Sequence, residues 1–542
     1  MAKSSSKEVA SSSPASRSRR TAASSAITRS PGSGADLRVL LAVAVVILLS
    51  GTAVIAESGV RQPAVAGSFY PAEPAKLEAA VRAYLEEAVP PAAARPLVLV
   101  APHAGYIFSG QIAADAYRQA MGHDYEVVVV LGTNHTVAEF RGVSVHTGPG
   151  YRTPLGMVET DQELVERLLA AEEAVTFSPA VHEREHSVEV HLPFIQVAFP
   201  KAKIFPAVIG TPDPDLCARF GRTLAEVLKD KKALIVASSD LSHYPAYQDA
   251  IASDLTTLGA VTRLDPVALT RVLGRQMRTG TEGLATCACG EGPVRAAMEA
   301  AKQLEAITGS IVSYANSGDT AVGDRSRVVG YGALAFYDRA VDVAPGPRWL
   351  PHDGDPTTAP LSAAERQALL AFARSSIERY LATSTAPLAR GFVPSLWRKQ
   401  GVFVTLEKEG RLRGCIGHRH ADRPLCQIVG GMALQAAFND SRFPPVTAAE
   451  MTELEIEISL LSPLTQVKGA RAVRLGRDGV LLRKAGREAV FLPQVATEQG
   501  WDRAQMMEAL CRKAGLPPGD WRQGAELFTF QTESFSESKL GP

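Results

Sequence analysis

Pro96-Leu-Val-Leu-Val-Ala-Pro-His103 and Glu126-Val-Val-Val-Val-Leu-Gly-Thr-Asn-His135 share one pattern, a short β-branched apolar run that ends in a histidine. A third run, Ala233-Leu-Ile-Val-Ala237, opens into Ser238-Ser-Asp-Leu-Ser-His243. Continuous apolar runs of this length, bounded by Gly, Pro, Ser and Asn, read as strands buried on both faces of an α/β sheet. Ligands and reacting groups in such sheets gather beyond the carboxyl ends of the strands. Strands that deliver imidazoles to that edge bring neutral nitrogen donors toward one point, which suits a transition metal. Three unrelated core or loop histidines are the competing reading.

Segments of helical period separate these runs: Lys76 to Glu87, Leu164 to Leu169, Leu216 to Leu228, Val267 to Met277 and Val294 to Ile307. Strand and helix in alternation predict a mostly parallel sheet flanked by helices over residues 61–339, closed by a strand at Val328 to Phe336. Residues 340–361 carry five prolines and read as a linker. A smaller α+β domain is expected over residues 362–536. Ser362 with Glu365 three residues on caps a helix that runs through Tyr380. Gly401 to Leu406 and Leu412 to Ile416 form a hairpin, Leu454 to Leu461 alternates as a half-buried strand, and Gly479 to Arg483 pairs with Ala489 to Pro493.

A chain of 542 residues exceeds one ordinary core, and equal acidic and basic totals, 57 each, remove any electrostatic case for a nucleic-acid partner. The six cysteines include no CxxC pair, so neither a zinc ribbon nor a dense disulfide framework is indicated. Residues 1–60 read differently. The first 36 are rich in Ser, Ala and Arg, and then Val39 to Leu49 is apolar behind Arg17, Arg19, Arg20, Arg29 and Arg38. Extended to Ala56, this stretch is the length of a short membrane span, with Val54 and Ala56 placed as at a signal-peptidase site. It predicts membrane contact through residues 39–56, as an export signal or an uncleaved anchor, with both folded domains outside the cytoplasm. A mis-started extension on a cytoplasmic protein is the alternative. No cysteine precedes Cys217, which excludes a lipoprotein anchor.

His103 and His135 supply two metal ligands, and Asp240, His243, Glu189 and Cys289 compete for the third position. Cys289, just ahead of a helix expected from Pro293, is placed where a helix N-terminus lowers a thiol pKa. A thiolate with two imidazoles favours copper, iron or zinc over magnesium or calcium. A buried, inert cysteine is the competing reading for Cys287 and Cys289 alike. His182-Glu-Arg-Glu-His186 satisfies both HExxH and HxxEH, which raises a zinc protease. Pro179 and the lack of an apolar stripe through residues 180–187 argue against the helix such a site needs; the expected helix begins near Ser187.

Val65-Ala-Gly-Ser-Phe-Tyr-Pro71, Pro102 to Tyr106, Leu131 to His135, Tyr151-Arg-Thr-Pro154, Glu185 to Pro193 and Ser238 to His243 together resemble the Memo family. That family is similar to the LigB-like class III extradiol dioxygenases, a non-haem iron fold. The resemblance implies a mononuclear iron or copper site, zinc remaining open, with His103, His135 and Cys289 as ligands. It places His243, Asp240 and His186 in the same pocket as candidate catalytic groups. A cysteine in place of the third, carboxylate ligand departs from the dioxygenase triad and puts ring cleavage in doubt. Arg413-Gly-Cys-Ile-Gly417, Asp440 to Pro445, Leu454 to Ile458 and Phe491 to Gln494 resemble the AMMECR family. Cys415 is its candidate nucleophile, with His418 and His420 near it in sequence; a small buried cysteine among close-packed glycines is the competing reading. The pair resembles the AmmeMemoRadiSam system, which implies a radical SAM protein as partner and a small organic substrate. No CxxxCxxC triplet occurs in this chain. The function expected is a metal-dependent oxidoreductase; the alternatives are a non-catalytic metal- or partner-binding module and, more remotely, a metal-dependent hydrolase.

Overall fold

The computed structural model describes residues 59–341 and 359–540. In the first half the strands are β1 (Val98–Ala101), β2 (Val127–Thr133), β3 (Val143–Val145), β4 (Gly150–Thr153), β5 (Gly156–Glu159), β6 (Val175–Thr176), β7 (Lys203–Ile209), β8 (Ala233–Ser238), β9 (Thr308–Asn316) and β10 (Gly330–Tyr337). Eight of them form one sheet in the order β6-β3-β7-β2-β8-β1-β10-β9, while β4 and β5 pair separately. The four central strands β7, β2, β8 and β1 are mutually parallel. Antiparallel pairings of β3 on β7, β10 on β1 and β9 on β10 flank them. The sheet is therefore mixed, with a parallel centre.

The apolar runs are continuous because each strand feeds two cores. Leu99, Val128, Val130 and Val236 join the core on one face, and Val98, Val129, Leu131 and Ile235 the core on the other. Each such side chain, fully buried, stabilises the fold by about 1.5–3 kcal/mol. The expected helices are present as Pro74–Glu86, Gln162–Ala171, Pro214–Leu228, Pro266–Arg278 and Glu291–Gln303.

The second half holds β11 (Val402–Lys408), β12 (Arg411–His418), β13 (Leu454–Leu461), β14 (Thr465–Val467), β15 (Gly479–Lys484), β16 (Arg487–Phe491), β17 (Glu526–Phe530) and β18 (Thr532–Ser536). They make two four-stranded sheets, β12-β11-β13-β18 and β14-β17-β15-β16. The Ser362 side chain accepts from Glu365 N in a capping box that opens the helix Ala363–Thr383. The halves are joined. Arg390 grips the fully buried Asp115 carboxylate through Nη1 at 3.0 Å and Nη2 at 2.6 Å, and Leu388 enters the first core. Gln427 donates to Asp319 at 3.1 Å, and Arg423 donates to the carbonyls of Gly318 and Gly323.

One expectation is corrected. No helix among the described residues is long and apolar enough to cross a membrane. The signal peptide or transmembrane helix expected at residues 39–56, the membrane contact there, and the exported or anchored location built on them are withdrawn. Those residues themselves lie outside the described ones.

Candidate metal centre

His103 follows the carboxyl end of β1, His135 follows β2, and Asp240 follows β8, so three neighbouring parallel strands deliver the site. Two overlapping donor groups result, each with its ligand atoms within 4.8 Å of one another: His103, His135 and His186, and His103, Asp240 and Cys289. His103 belongs to both. His135 and Cys289 fall in different groups. The Cys289 sulfur lies 3.2 Å from His103 Nε2, whereas Cys287 turns away to the Met277 sulfur.

Hydrogen bonding fixes which nitrogen each histidine presents. Ser238 Oγ donates to Ser187 O at 2.6 Å, which leaves only its lone pairs for His103 Nδ1 at 2.7 Å and His191 Nε2 at 3.0 Å. His103 is then protonated on Nδ1, and its Nε2 lone pair faces Cys289. His135 Nδ1 meets the Glu185 carboxylate at 2.9 Å, an acceptor, so its Nε2 is likewise the free donor to an ion. Anchoring of one ring nitrogen by a carboxylate or oxygen is how metal-binding histidines are ordinarily oriented. Burial would raise the Glu185 carboxyl, but hydrogen bonds from His135 and Ser187 overcome it and hold the group at about 2. Glu185 fixes the orientation of the His135 ring, a role that the sequence reading missed.

Burial first, then neighbouring imidazoles, keep His103 well below its ordinary pKa and hold His186 at about 4. Burial, with His135 adding to it, does the same for His243, also at about 4. Neutral imidazole is the ligating form. Asp240 is pushed up to about 7 by burial, against hydrogen bonds from the backbone of His103 and Ala104; the His103 amide donates to it at 2.8 Å. The lowered thiol pKa expected of Cys289 is corrected. The helix begins at Glu291, and burial together with the Asp240 charge holds the thiol well above its ordinary value. An ion displacing that proton would reverse the balance.

Two glycines let the segments close. A Cβ on Gly132 would meet Ser187 Oγ at 2.6 Å and Val188 Cγ2 at 2.7 Å, and one on Gly290 would strike the Ser238 carbonyl. Glu189, considered as a third ligand, is consumed elsewhere: its buried carboxylate accepts from Arg61, Tyr70 and the amides of Ala64 and Val65. That clamp ties the segment around residues 61–70 beside the cluster, where Phe69 packs on His186 at 4.8 Å. The HExxH element is not a zinc helix. His182 sits in Pro179–Glu183 and His186 in a separate turn, His186–Glu189, and His182 bonds Ser144 and Tyr151 instead. Cys415 lies on β12 of the second half; its amide donates to Asp440 at 2.9 Å, and Thr405 Oγ1 donates to its sulfur at 3.4 Å. His418 pairs with Asp422, and His420 is exposed.

Fold and site together define an α/β protein that gathers imidazole, thiol and carboxylate donors at the carboxyl ends of parallel strands. A family model described as Memo-like protein matches residues 61–335, and one described as AMMECR1 matches residues 370–535. A MEMO1 family protein of Aquifex aeolicus is 40% identical over 243 residues, 45% of this chain and 86% of the relative. One from Nitrosopumilus maritimus is 33% identical over 239 residues, 44% of this chain and 83% of the relative. The crystal structure of an uncharacterized protein, PH0010 from Pyrococcus horikoshii, is 36% identical across 34% of this chain and 96% of its own, with a TM-score of 0.32. The chain belongs to the Memo family and carries an AMMECR1 domain behind its Memo domain.

Proposed function

We propose that the Memo domain binds one transition-metal ion through His103, His135 and Cys289, and acts as an oxidoreductase on a small organic substrate in a LigB-like pocket. Iron or copper is the ion favoured, with zinc open. The observation that carries this reading is the pair of anchored imidazoles: both His103 and His135 have Nδ1 committed, to Ser238 and Glu185, and so present Nε2. The two groups that overlap at His103 offer imidazoles, a thiol and the Asp240 carboxylate, donors of intermediate softness that suit those metals. The ion, when bound, supplies Lewis-acid and one-electron chemistry.

The chain supplies the rest. His243 Nε2 is buried without a hydrogen-bond partner and is a candidate to take a proton from a substrate hydroxyl. His186, backed by Phe69, offers the aromatic wall against which a planar substrate would lie. The radical SAM partnership rests on the Memo–AMMECR pairing alone. A second reading, a non-catalytic metal- or partner-binding module, is favoured by one feature, a cysteine beside His103 where the dioxygenases use a carboxylate ligand.

Metal analysis of the purified full chain tests the first claim. About one ion per chain, lost in His103→Ala, supports it, and metal-free wild type after loading with iron(II) or copper(I) overturns it. Metal-dependent oxygen uptake with a phenolic substrate favours the oxidoreductase. Metal binding with no uptake favours the module.

A further inference from the structure

The second half holds a cluster that the metal site does not use. On β12 the residues Cys415 and Gly417 share one face, because Gly414 between them and the bulge at Arg413 is packed against the Ala436 carbonyl of the helix Leu425–Phe438 on the other. That open face looks toward the second sheet. The two sheets touch through Phe403 and Leu461 on one side and Leu481, Val490, Phe528 and Phe530 on the other. Beside this contact, Cys415 is half-buried rather than sealed in the core.

Two cations, Arg442 and Lys513, act on the thiol, and Arg419 stands near Lys513. Arg442 donates to the Cys415 carbonyl at 3.0 Å and is paired with Asp440. Arg419 is paired with Glu488, which also holds Arg483. Lys513 reaches in from the helix Arg503–Lys513, donating to the Val490 carbonyl at 3.0 Å with its ammonium 4.9 Å from the Phe491 ring centroid. Among the described residues no carboxylate forms an ion pair with Lys513. In the ion pairs of the described residues Arg442, Arg419 and Arg483 share the carboxylates of Asp440 and Glu488, and Lys513 has none. We propose that this inter-sheet notch binds a small anion, a carboxylate- or phosphate-bearing ligand, held between Lys513, Arg442 and Arg419 with the Cys415 thiol at its edge.

The electrostatics agree with the geometry. Crowding by protein, then repulsion from Arg442 and Arg419, lowers the Lys513 ammonium although its side chain keeps contact with solvent. An arriving anion relieves that repulsion. Burial raises the Cys415 thiol, while Thr405, Arg442 and Lys513 act against it and Asp440 adds to it. The thiol therefore rests protonated, a neighbour to the anion rather than a pre-formed nucleophile. The proposal is independent of the metal centre.

Paired alkylation of the full-length protein, resolved by peptide mass spectrometry, tests it. With iodoacetate and with iodoacetamide alike, the Cys415 sulfur forms an S–CH2 bond as the C–I bond breaks, and iodide and the thiol proton pass to solvent; only iodoacetate is an anion. Two uncompensated charges nearby predict a rate ratio, iodoacetate over iodoacetamide, about fivefold above that of free cysteine at low salt. Lys513→Met should bring the ratio down toward free cysteine, and Lys513→Arg should retain it. At constant ionic strength set with sodium chloride, protection by inorganic phosphate assigns a phosphate head and protection by succinate a carboxylate. A wild-type ratio equal to free cysteine, a ratio unmoved by Lys513→Met, protection by neither anion, or a Cys415 that reacts with neither reagent overturns the proposal.

Discussion

Cys289 and Cys415 are both flanked by glycine or close-packed backbone, and both carry thiols raised by burial, yet their surroundings suit ligands of opposite charge. Around Cys289 the groups are neutral imidazoles and a carboxyl pushed up to about 7, in a setting closed by two glycine contacts. Such a set gains by admitting a cation that replaces protons. Around Cys415 the groups are guanidinium and ammonium, half open to water, and the gain comes from admitting an anion. A cysteine's burial says little about its role; the charge and lone-pair direction of its neighbours say more.

The largest effect that would break this contrast is at His103. His103→Ala should lower bound metal from about one ion per chain to below about a tenth, with the far-ultraviolet dichroism unchanged, while the Cys415 alkylation ratio stays at its wild-type value. A fall in both would mean that the two sites are coupled, and the contrast between them would fail. Coupling has a physical route through the interface. Asp115 is fully buried and bound by Arg390, with Ser313 Oγ and the Val89 amide as its other donors. Arg390→Met leaves that charge without its cation and should cost about 3 kcal/mol in urea unfolding followed by fluorescence. A loss near zero would show that the halves contribute to stability separately.

A smaller effect sharpens the first site. Glu185 orients His135 through Nδ1 and is no ligand itself, so Glu185→Gln should weaken metal affinity about 10- to 100-fold without abolishing binding, as a competition titration against a chromophoric chelator would read. Complete loss would make Glu185 a ligand, and no change would remove the anchored-imidazole argument.

The parts of this architecture that could be read from the sequence are those where local pattern and tertiary role coincide. β1, β2 and β8 are apolar throughout because they feed two cores, and the residues after them are the site for the same topological reason. β7 escaped because Pro206 interrupts a central strand, a position that ordinarily argues against one. The structure tolerates it because Pro206 meets the end of β3 through its carbonyl, which accepts from the His146 amide at 3.2 Å just past the last paired residue, Val145. β9 escaped because an edge strand bearing Gly309, Ser310 and Ser313 has little apolar pattern. The roles of Glu185 and Ser238 were hidden for another reason. Both stand beside histidines in quoted motifs, but their function is a hydrogen-bond direction, which spacing does not encode. Searching strand ends for hydroxyls as well as imidazoles would have found Ser238. Lys513 lies far along the chain from Cys415, and only the packing of the second sheet brings them together.

The smallest expected effect concerns acid. Asp440 ties Cys415, through its amide, to Arg442 and so shapes the anion notch from behind. Hydrogen bonds from Arg442 lead, with burial opposing and the Cys415 and Arg442 amides assisting, and they hold its carboxyl at about 2, below the ordinary 3.8. A carboxyl lowered by folding stabilises the native state at every pH above its unfolded value, and that contribution is lost as pH falls through the folded one. The loss therefore belongs between about pH 4 and pH 2. The Asp440 side chain is 4% exposed but Arg442 is 53% exposed, so solvent screening limits the contribution to about 1–2 kcal/mol. Asp440→Asn should flatten the wild-type fall in urea unfolding free energy across that window by this amount and leave the pH 6 to 8 plateau parallel to wild type. An unchanged slope between pH 4 and 2 would show that the Asp440–Arg442 pair is held by the backbone rather than by charge, and the notch would then need another source for its shape.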